Sequence, residues 1–185
     1  MAAGLYPPLN SLKSLGPEIW LADGPAIRFY GMPFPTRMVV VRLEGGLWLH
    51  SPIAPEPGFL AQLAKLGPVR WLVAPNNFHY AHLPAWAEHF PKAQVHAAPG
   101  VAERAAGHGV TFPPHELLGD DAPPDWQGVI DQRLVPGHPV LNEVIFFHRP
   151  SRVLILSDLI ENFEGPRLRW PMRLAARLAG NLAPD

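Results

Sequence analysis

The chain has 185 residues, of which 24 are proline, 16 are glycine and none is cysteine, and 48 % are hydrophobic. A chain this apolar can bury enough surface to fold, which excludes disorder, and its length suits one domain. Fifteen basic and sixteen acidic residues leave a formal charge of −1, which excludes the basic field expected of a nucleic-acid partner. Without cysteine, a metal can be bound only by His, Asp or Glu.

We predict a single domain over residues 1–185, with 1–16 and 165–185 as peripheral extensions. The first twenty residues lack a basic segment followed by a long apolar run, so no signal peptide is predicted. No apolar run reaches about 18 residues, so no transmembrane segment is predicted either. A cytoplasmic protein is the simplest expectation.

The first half of the chain predicts strands that give way to a helix and a buried strand. A hairpin is expected around Gly45-Gly46, because two apolar runs flank that turn. A helix with Pro57 in its first turn and Gly67 after its end follows. The predicted elements are strands at 18–22, 37–43 and 47–50, a helix at 57–66 and a strand at 69–74.

The second half alternates short helices and strands and then becomes rich in strands. Its predicted elements are a helix within 84–90, a strand at 93–97, a helix at 101–106, a loop at 107–127, strands at 129–135, 144–148 and 153–157, and a basic helical tail from 165. Hairpins together with crossovers predict a mixed α/β fold. A P-loop motif and a Gly-x-Ser-x-Gly elbow are absent, and no Gly-rich phosphate turn follows a strand.

The strongest local candidate for chemistry is a histidine pair after the apolar strand at 69–74. His79 and His82 lie three residues apart, where α/β proteins place ligands. On a first helical turn both rings can point the same way, as metal ligation requires. The alternative is that both histidines only cap or pad the start of the following helix, and the local sequence leaves both interpretations open.

Two further candidates also follow strands. His138 comes after a Pro-Gly turn, and Asp158 ends the apolar strand at 153–157. A carboxylate at that position is costly unless it is paired, hydrogen-bonded or metal-bound. The alternatives are an ordinary loop histidine at 138 and a helix N-cap at 158.

The remaining titratable residues are not assigned to a site. Glu143 and His148 lie five apart on one predicted strand, so they face opposite sides and cannot both join one site. Four histidines have no convergent partner in the sequence and are interpreted as surface or hydrogen-bonded residues: His89, His96, His108 and His115.

A histidine-bearing loop after a strand, a Pro-Gly-His turn and an apolar strand ending in Asp follow the order of the metallo-β-lactamase fold. The chain resembles a divergent member of that superfamily over roughly residues 17–163 and, more closely, the group called domain of unknown function 4336. The closer resemblance is carried by several segments together: 37–43, 47–52, 74–76 with His79, Trp86, 90–91, 142–152 and 157–159.

The resemblance implies an α/β fold of α+β character, a metallo-β-lactamase-type αββα sandwich with mixed sheets and the site at one edge. Laid on 77–82, the superfamily motif H-x-H-x-D-H keeps its second and third histidines as His79 and His82. Asn77 and Ala81 replace the first histidine and the aspartate. The final histidine of the pattern has no counterpart, so we expect a domain that is C-terminally short.

The resemblance also implies a metal site, with His138 as the third-motif histidine and Asp158 as the bridging aspartate. Because two ligands are replaced, at most one divalent metal is expected, held by His79, His138 and Asp158. His82 is expected as a fourth ligand or beside one. Zinc is the first expectation, and iron or manganese also suits these donors.

The implied function is hydrolase-like, with a metal-bound water acting on a small-molecule substrate that the sequence does not identify. The alternative is a non-catalytic binding or assembly module on the same fold. Nucleic acid is not expected as a partner. A domain short of its last elements would expose an apolar face, through which a homodimer is one expected arrangement.

Overall fold

A computed structural model describes residues 5–29, 32–136, 141–160, 163–168 and 170–182 of the chain. Its strands are β1 Lys13–Gly16, β2 Ile19–Phe29, β3 Met32–Leu43, β4 Gly46–His50, β5 Val69–Ala74, β6 Gln94–Ala97, β7 Glu116–Leu117, β8 Ile130–Val135, β9 Glu143–His148 and β10 Val153–Ile155. Its helices are α1 Pro57–Ala64, α2 Leu83–His89, α3 Val101–Gly107, a 3-10 turn Gly165–Arg167 and α4 Trp170–Ala179.

The larger sheet contains seven strands in the order β1-β2-β3-β4-β5-β6-β7. Strands β1 to β4 pair antiparallel, whereas β4 to β7 pair parallel. The tight turn between β3 and β4 requires glycine at Gly46, whose φ is +142°. A Cβ there would lie 2.4 Å from the carbonyl oxygen of Pro68.

The parallel half of this sheet is connected by helical crossovers, so the carboxyl ends of β4, β5 and β6 lie at one edge. Helix α1 has Pro57 in its first turn and buries Phe59 and Leu63. Helix α2 buries Trp86, whose indole Nε1 donates to the carbonyl oxygen of Ile53 at 2.6 Å. These contacts hold the loop after β4 in place.

The smaller sheet contains β8, β9 and β10, all antiparallel, and its face packs on the larger sheet. The Trp48 ring of β4 meets the Phe146 ring of β9 with centroids 5.1 Å apart, and the Trp126 ring at 6.1 Å. Because β9 and β10 run in opposite directions, the start of β9 and the end of β10 lie at the same end of the sandwich.

The mixed α/β prediction and both hairpins are confirmed, while several element bounds are wrong. Strands β2 and β3 extend through a region rich in Pro and Gly, because a register shift between Gly24 and Ile27 accommodates it. The predicted loop at 107–127 contains the short edge strand β7. Among the described residues, no helix is long and apolar enough to cross a membrane.

Candidate functional site

The candidate site lies where the two sheets are joined beyond the carboxyl end of β5. Asn76 forms an isolated antiparallel bridge with Glu143, the first residue of β9. The backbone N–H of Val144 donates to the carbonyl oxygen of Pro75 at 2.8 Å. This junction brings the loops after β4, β5 and β10 together.

Glu143 is a fully buried carboxylate that organises the turn after β10. Its Oε1 accepts from the Ser157 N–H at 2.8 Å, and its Oε2 accepts from the Asp158 and Leu159 N–H groups at 2.8 and 3.1 Å. The Asn76 amide also donates to Oε2 at 3.0 Å. Four N–H donors offset the cost of burying the carboxylate, and the turn that carries Asp158 is fixed as a result. Strand β10 ends at Ile155, two residues before the predicted end, in keeping with these hydrogen bonds.

The buried Asn76 side chain links both loops of the site. Its Nδ2 donates to Asp158 Oδ2 at 2.9 Å as well as to Glu143. Its Oδ1 accepts from the Phe78 N–H at 2.8 Å, which starts the turn that leads to His79. One amide therefore orients the carboxylate and the loop that bears the imidazole.

His79 lies between Ser51 and Asp158 in a continuous hydrogen-bonded chain. Its Nε2 lies 3.0 Å from Asp158 Oδ2, and its Nδ1 is hydrogen-bonded to Ser51 Oγ. The side chains of His79 and Asp158 are 23 % and 24 % exposed, so a small ligand can reach the pair from solvent. Burial raises the pKa of Asp158, but the hydrogen bond and charge of His79, with the Asn76 amide, outweigh this and lower it overall.

His50 lies beneath this pair in the core. It stacks on Trp48 with ring centroids 5.7 Å apart and meets the edge of Phe146 at 5.5 Å. Burial, with the nearby charge of His79, lowers its pKa to about 3. Its Nε2 has no hydrogen-bond partner among the described residues. The His50 imidazole is therefore neutral near pH 7 and adds no charge to the site.

The structure brings two of the four predicted ligands together. His79 and Asp158 are adjacent, whereas His138 lies outside the described residues. His82 occupies the N-cap of α2 without a side-chain capping bond, and burial lowers its pKa. In the described part of the chain it forms no hydrogen bond or ion pair with His79 or Asp158. No group of three His, Asp or Glu side chains there is placed to hold a metal ion.

The capping alternatives are wrong for Asp158 and for His79, whereas His82 does lie at the start of α2. Asp158 does not cap a helix, because residues 157–160 form bends and its carboxylate faces His79 and Asn76. His79 does not cap α2, because both of its ring nitrogens contact side chains on other loops.

His96 also departs from its prediction as a surface or hydrogen-bonded histidine. It is 1 % exposed, packs on Trp126 with centroids 4.7 Å apart, and neither ring nitrogen has a hydrogen bond among the described residues.

Sequence reasoning missed the residues that hold the pair in place. Ser51 and Asn76 each directly follow a predicted apolar strand or its terminating proline, the same signal that selected His79. Glu143 lies in the segment 142–152 that carries the family resemblance, but the sequence analysis assigned it no role. The prediction that it cannot share a site with His148 agrees with the structure. The His148 Nδ1 contacts Ser151 Oγ at 2.7 Å instead.

Comparison with known proteins identifies the class. A family model described as Domain of unknown function (DUF4336) matches residues 18–166, and no curated protein matches the sequence. The solved metallo-β-lactamase from Pontibacter korlensis has 14 % identity and a TM-score of 0.62, covering 92 % of this chain and 86 % of that one. The metallo-β-lactamase FIM-1 from Pseudomonas aeruginosa, in its mono-zinc form, has 14 % identity and a TM-score of 0.57.

The FIM-1 match covers 74 % of this chain, which spans 63 % of the length of FIM-1. The metallo-β-lactamase IND-7 gives a TM-score of 0.62 at 12 % identity over 95 % of this chain and 89 % of that one. At these identities the likeness establishes the fold, so this is a metallo-β-lactamase-fold protein. Since the family model covers most of its length, the chain belongs to the DUF4336 family.

Proposed function

We propose that this chain is a hydrolase-like protein whose degenerate site binds at most one divalent metal. The observation that carries the proposal is the placement of His79 Nε2 and Asp158 Oδ2, 3.0 Å apart and both partly exposed. A neutral imidazole nitrogen and a carboxylate oxygen are donors that zinc, iron and manganese accept. His79 follows β5 of the larger sheet, and Asp158 follows β10 of the smaller sheet. The bridge between Asn76 and Glu143 brings these two loops together.

The donor atoms fit two adjacent ligand positions of a single ion. Ligands at about 2.1 Å from one ion lie roughly 3.0 Å apart in octahedral and roughly 3.4 Å apart in tetrahedral geometry. His138 is the third proposed ligand, and His82 the fourth or a neighbour. The mono-zinc form of FIM-1 supports the idea that this fold can hold a single ion.

The two replaced positions limit the site to one ion. Asn77 stands where the motif has its first histidine, and Ala81 where it has its aspartate. A neutral amide oxygen is a weak ligand for zinc, and alanine supplies no ligand at all. When bound, the metal would supply Lewis-acid polarisation of a carbonyl or phosphoryl oxygen. The chain's own contribution is orientation, because Asn76 and Glu143 hold Asp158 while Ser51 contacts His79.

Metal analysis of protein purified without a histidine tag tests the proposal. After exposure to Zn²⁺ and removal of free ions, we expect about one equivalent in the wild type and less than about a tenth in His79→Ala and Asp158→Ala. His138→Ala tests the third proposed ligand. His89→Ala is the matched control, because His89 is an exposed histidine at the far end of α2 from His82. Loss of metal in this control as well would point to nonspecific surface binding.

Activity is tested separately with a panel of ester, phosphodiester and β-lactam substrates. We expect hydrolysis by the metal-loaded protein, none after chelation, and none in Asp158→Ala. Stoichiometric metal without hydrolysis would reject the catalytic part of the proposal. Less than about a tenth of an equivalent in the wild type would reject the metal site and favour the non-catalytic binding or assembly module.

A further inference from the structure

We propose that Ser51, His79 and Asp158 form a nucleophilic triad, in which Ser51 Oγ takes an acyl group from a small activated ester or thioester. The inference goes beyond the proposed function, because the reaction needs no metal ion. It gives Ser51 a catalytic role that the proposed metal site does not assign to it.

The three side chains are joined in the order that this chemistry requires. Ser51 Oγ is hydrogen-bonded to His79 Nδ1, and His79 Nε2 lies 3.0 Å from Asp158 Oδ2. An ionised carboxylate only accepts, so a neutral His79 carries its proton on Nε2 and donates it to Asp158. The lone pair of Nδ1 then faces the Ser51 hydroxyl and can take its proton. Either ring nitrogen can serve as the base when the other one donates.

The carboxylate of the triad is itself held in place. Asn76 Nδ2 donates to Asp158 Oδ2 at 2.9 Å, and the Asp158 N–H donates to Glu143 Oε2 at 2.8 Å. The Asn76 side chain also accepts from the Phe78 N–H at 2.8 Å, which fixes the loop before His79. The base and the group that orients it are therefore positioned before a substrate arrives.

Ser51 occupies a strained backbone position at the end of a parallel strand. It directly follows β4, which pairs parallel with β5, and its φ is +54°. Few non-glycine residues adopt a positive φ, and residues in such sparsely populated conformations cluster at active sites. In α/β-hydrolases a strained turn after a strand presents the nucleophilic serine in the same way. Here the turn occurs without the Gly-x-Ser-x-Gly sequence, so its geometry and not a motif supports the role of Ser51.

The surroundings of Ser51 define the class of substrate. Ser51 is 8 % exposed, so a small acyl group fits better than a long chain or a polymer. The Ser51 N–H already donates to the carbonyl oxygen of Val73 at 2.9 Å, and Pro52 has no N–H. Neither of these backbone groups can stabilise an oxyanion, although one such donor is worth about 10²- to 10³-fold in rate. An aryl ester or a thioester suits the site, because its good leaving group lowers the barrier without that donor.

The step transfers one acyl group and returns one proton. Ser51 Oγ attacks the acyl carbon while its proton moves to His79 Nδ1, and the Asp158 carboxylate stabilises the imidazolium that forms. The bond between the acyl carbon and the leaving group then breaks, and the departing thiolate or aryloxide takes the proton from Nδ1. The products are acyl-Ser51 and a thiol or phenol. This single transfer is distinct from the steady hydrolysis expected of the metal-loaded protein.

A fluorophosphonate tests this step in the full chain in the presence of a chelator. Ser51 Oγ would displace fluoride from phosphorus and pass its proton to His79, leaving a stable adduct that peptide mass spectrometry locates. We expect one adduct per chain, on Ser51. In His79→Gln and Asp158→Asn we expect labelling to be slower by about 100-fold or more. Ser14→Ala, on the edge strand β1, is the matched control and should be labelled at the wild-type rate.

Ser51→Gly separates loss of the hydroxyl from loss of folding. Glycine adopts positive φ freely, so this substitution removes the nucleophile while relieving the backbone. A Ser51→Gly protein with an unreduced melting temperature and no adduct supports the inference. It is overturned if the wild type forms no adduct, if the adduct lies on another residue, or if His79→Gln is labelled within about twofold of the wild-type rate.

The failure of this inference is distinguishable from the failure of the proposed metal site. Labelling of Ser51 in a wild-type protein that binds no Zn²⁺ supports the triad and overturns the metal site alone. Stoichiometric Zn²⁺ binding without labelling of the chelated protein overturns the triad alone.

Discussion

Acidification is expected to destabilise the folded chain through the buried imidazole of His50. In the unfolded chain this group titrates at its ordinary pKa of 6.5, whereas burial lowers its pKa to about 3 in the folded chain. Between these values the unfolded chain binds a proton that the folded chain does not. The free energy of unfolding therefore falls as the pH falls, and the stabilisation is complete only above the unfolded pKa.

The size of the effect follows from the two pKa values. Between these two pKa values, the free energy of unfolding falls by about 1.4 kcal/mol for each pH unit of acidification. His50 alone therefore lowers it by about 2 kcal/mol between pH 7.5 and pH 5. Burial also lowers the pKa of His96 and His148, which adds a loss of the same sign. The free energy of unfolding of a typical domain is only about 5–15 kcal/mol, so a loss of this size is readily measured.

Urea unfolding at several pH values provides the assay. Because glutamine cannot titrate, we expect the free energy of unfolding of His50→Gln to fall by about 2 kcal/mol less than that of the wild type between pH 7.5 and pH 5. The comparison is between slopes, so any uniform destabilisation by the substitution cancels. His89→Gln, an exposed control, should keep the wild-type dependence. An unchanged slope in His50→Gln would refute the idea that burial keeps this imidazole neutral.

Further expectations concern the junction and two glycines. In urea unfolding, Glu143→Gln should reduce the free energy of unfolding by about 3 kcal/mol. The substitution turns one of the two buried carboxylate oxygens, which together accept four N–H bonds, into an NH2 donor. A loss below about 1 kcal/mol would contradict the structural role of Glu143. Gly46→Ala should lower stability by about 1–3 kcal/mol through its positive φ and the approach of Pro68. In contrast, a Cβ at Gly58 in α1 would meet no atom within 4 Å, so Gly58→Ala should raise the free energy of unfolding by about 0.5–1 kcal/mol. Equal effects of the two glycine substitutions in thermal unfolding would refute the idea that only Gly46 is required by its backbone.

Much of the fold could be predicted because its signals are local. The strand before Pro75, the hairpin at Gly46 and the helix that begins at Pro57 follow from short apolar runs and the backbone limits of proline and glycine. The same local logic selected His79 and Asp158, since polar residues directly after buried strands lie at a sheet edge. These features need only a few neighbouring residues, so they can be predicted without the rest of the chain.

The sequence by itself determined the order of the main elements (though not the edge strands β1 and β7), the absence of thiol ligands and the replacement of two motif positions by Asn77 and Ala81. Only the tertiary structure decided what orients the candidate pair. Asn76 reaches Glu143 and Asp158 across 67 and 82 residues, contacts that depend on how two sheets pack. Ser51 meets His79 for the same reason. Side-chain hydrogen bonds depend on distance in space, and no local pattern encodes that distance.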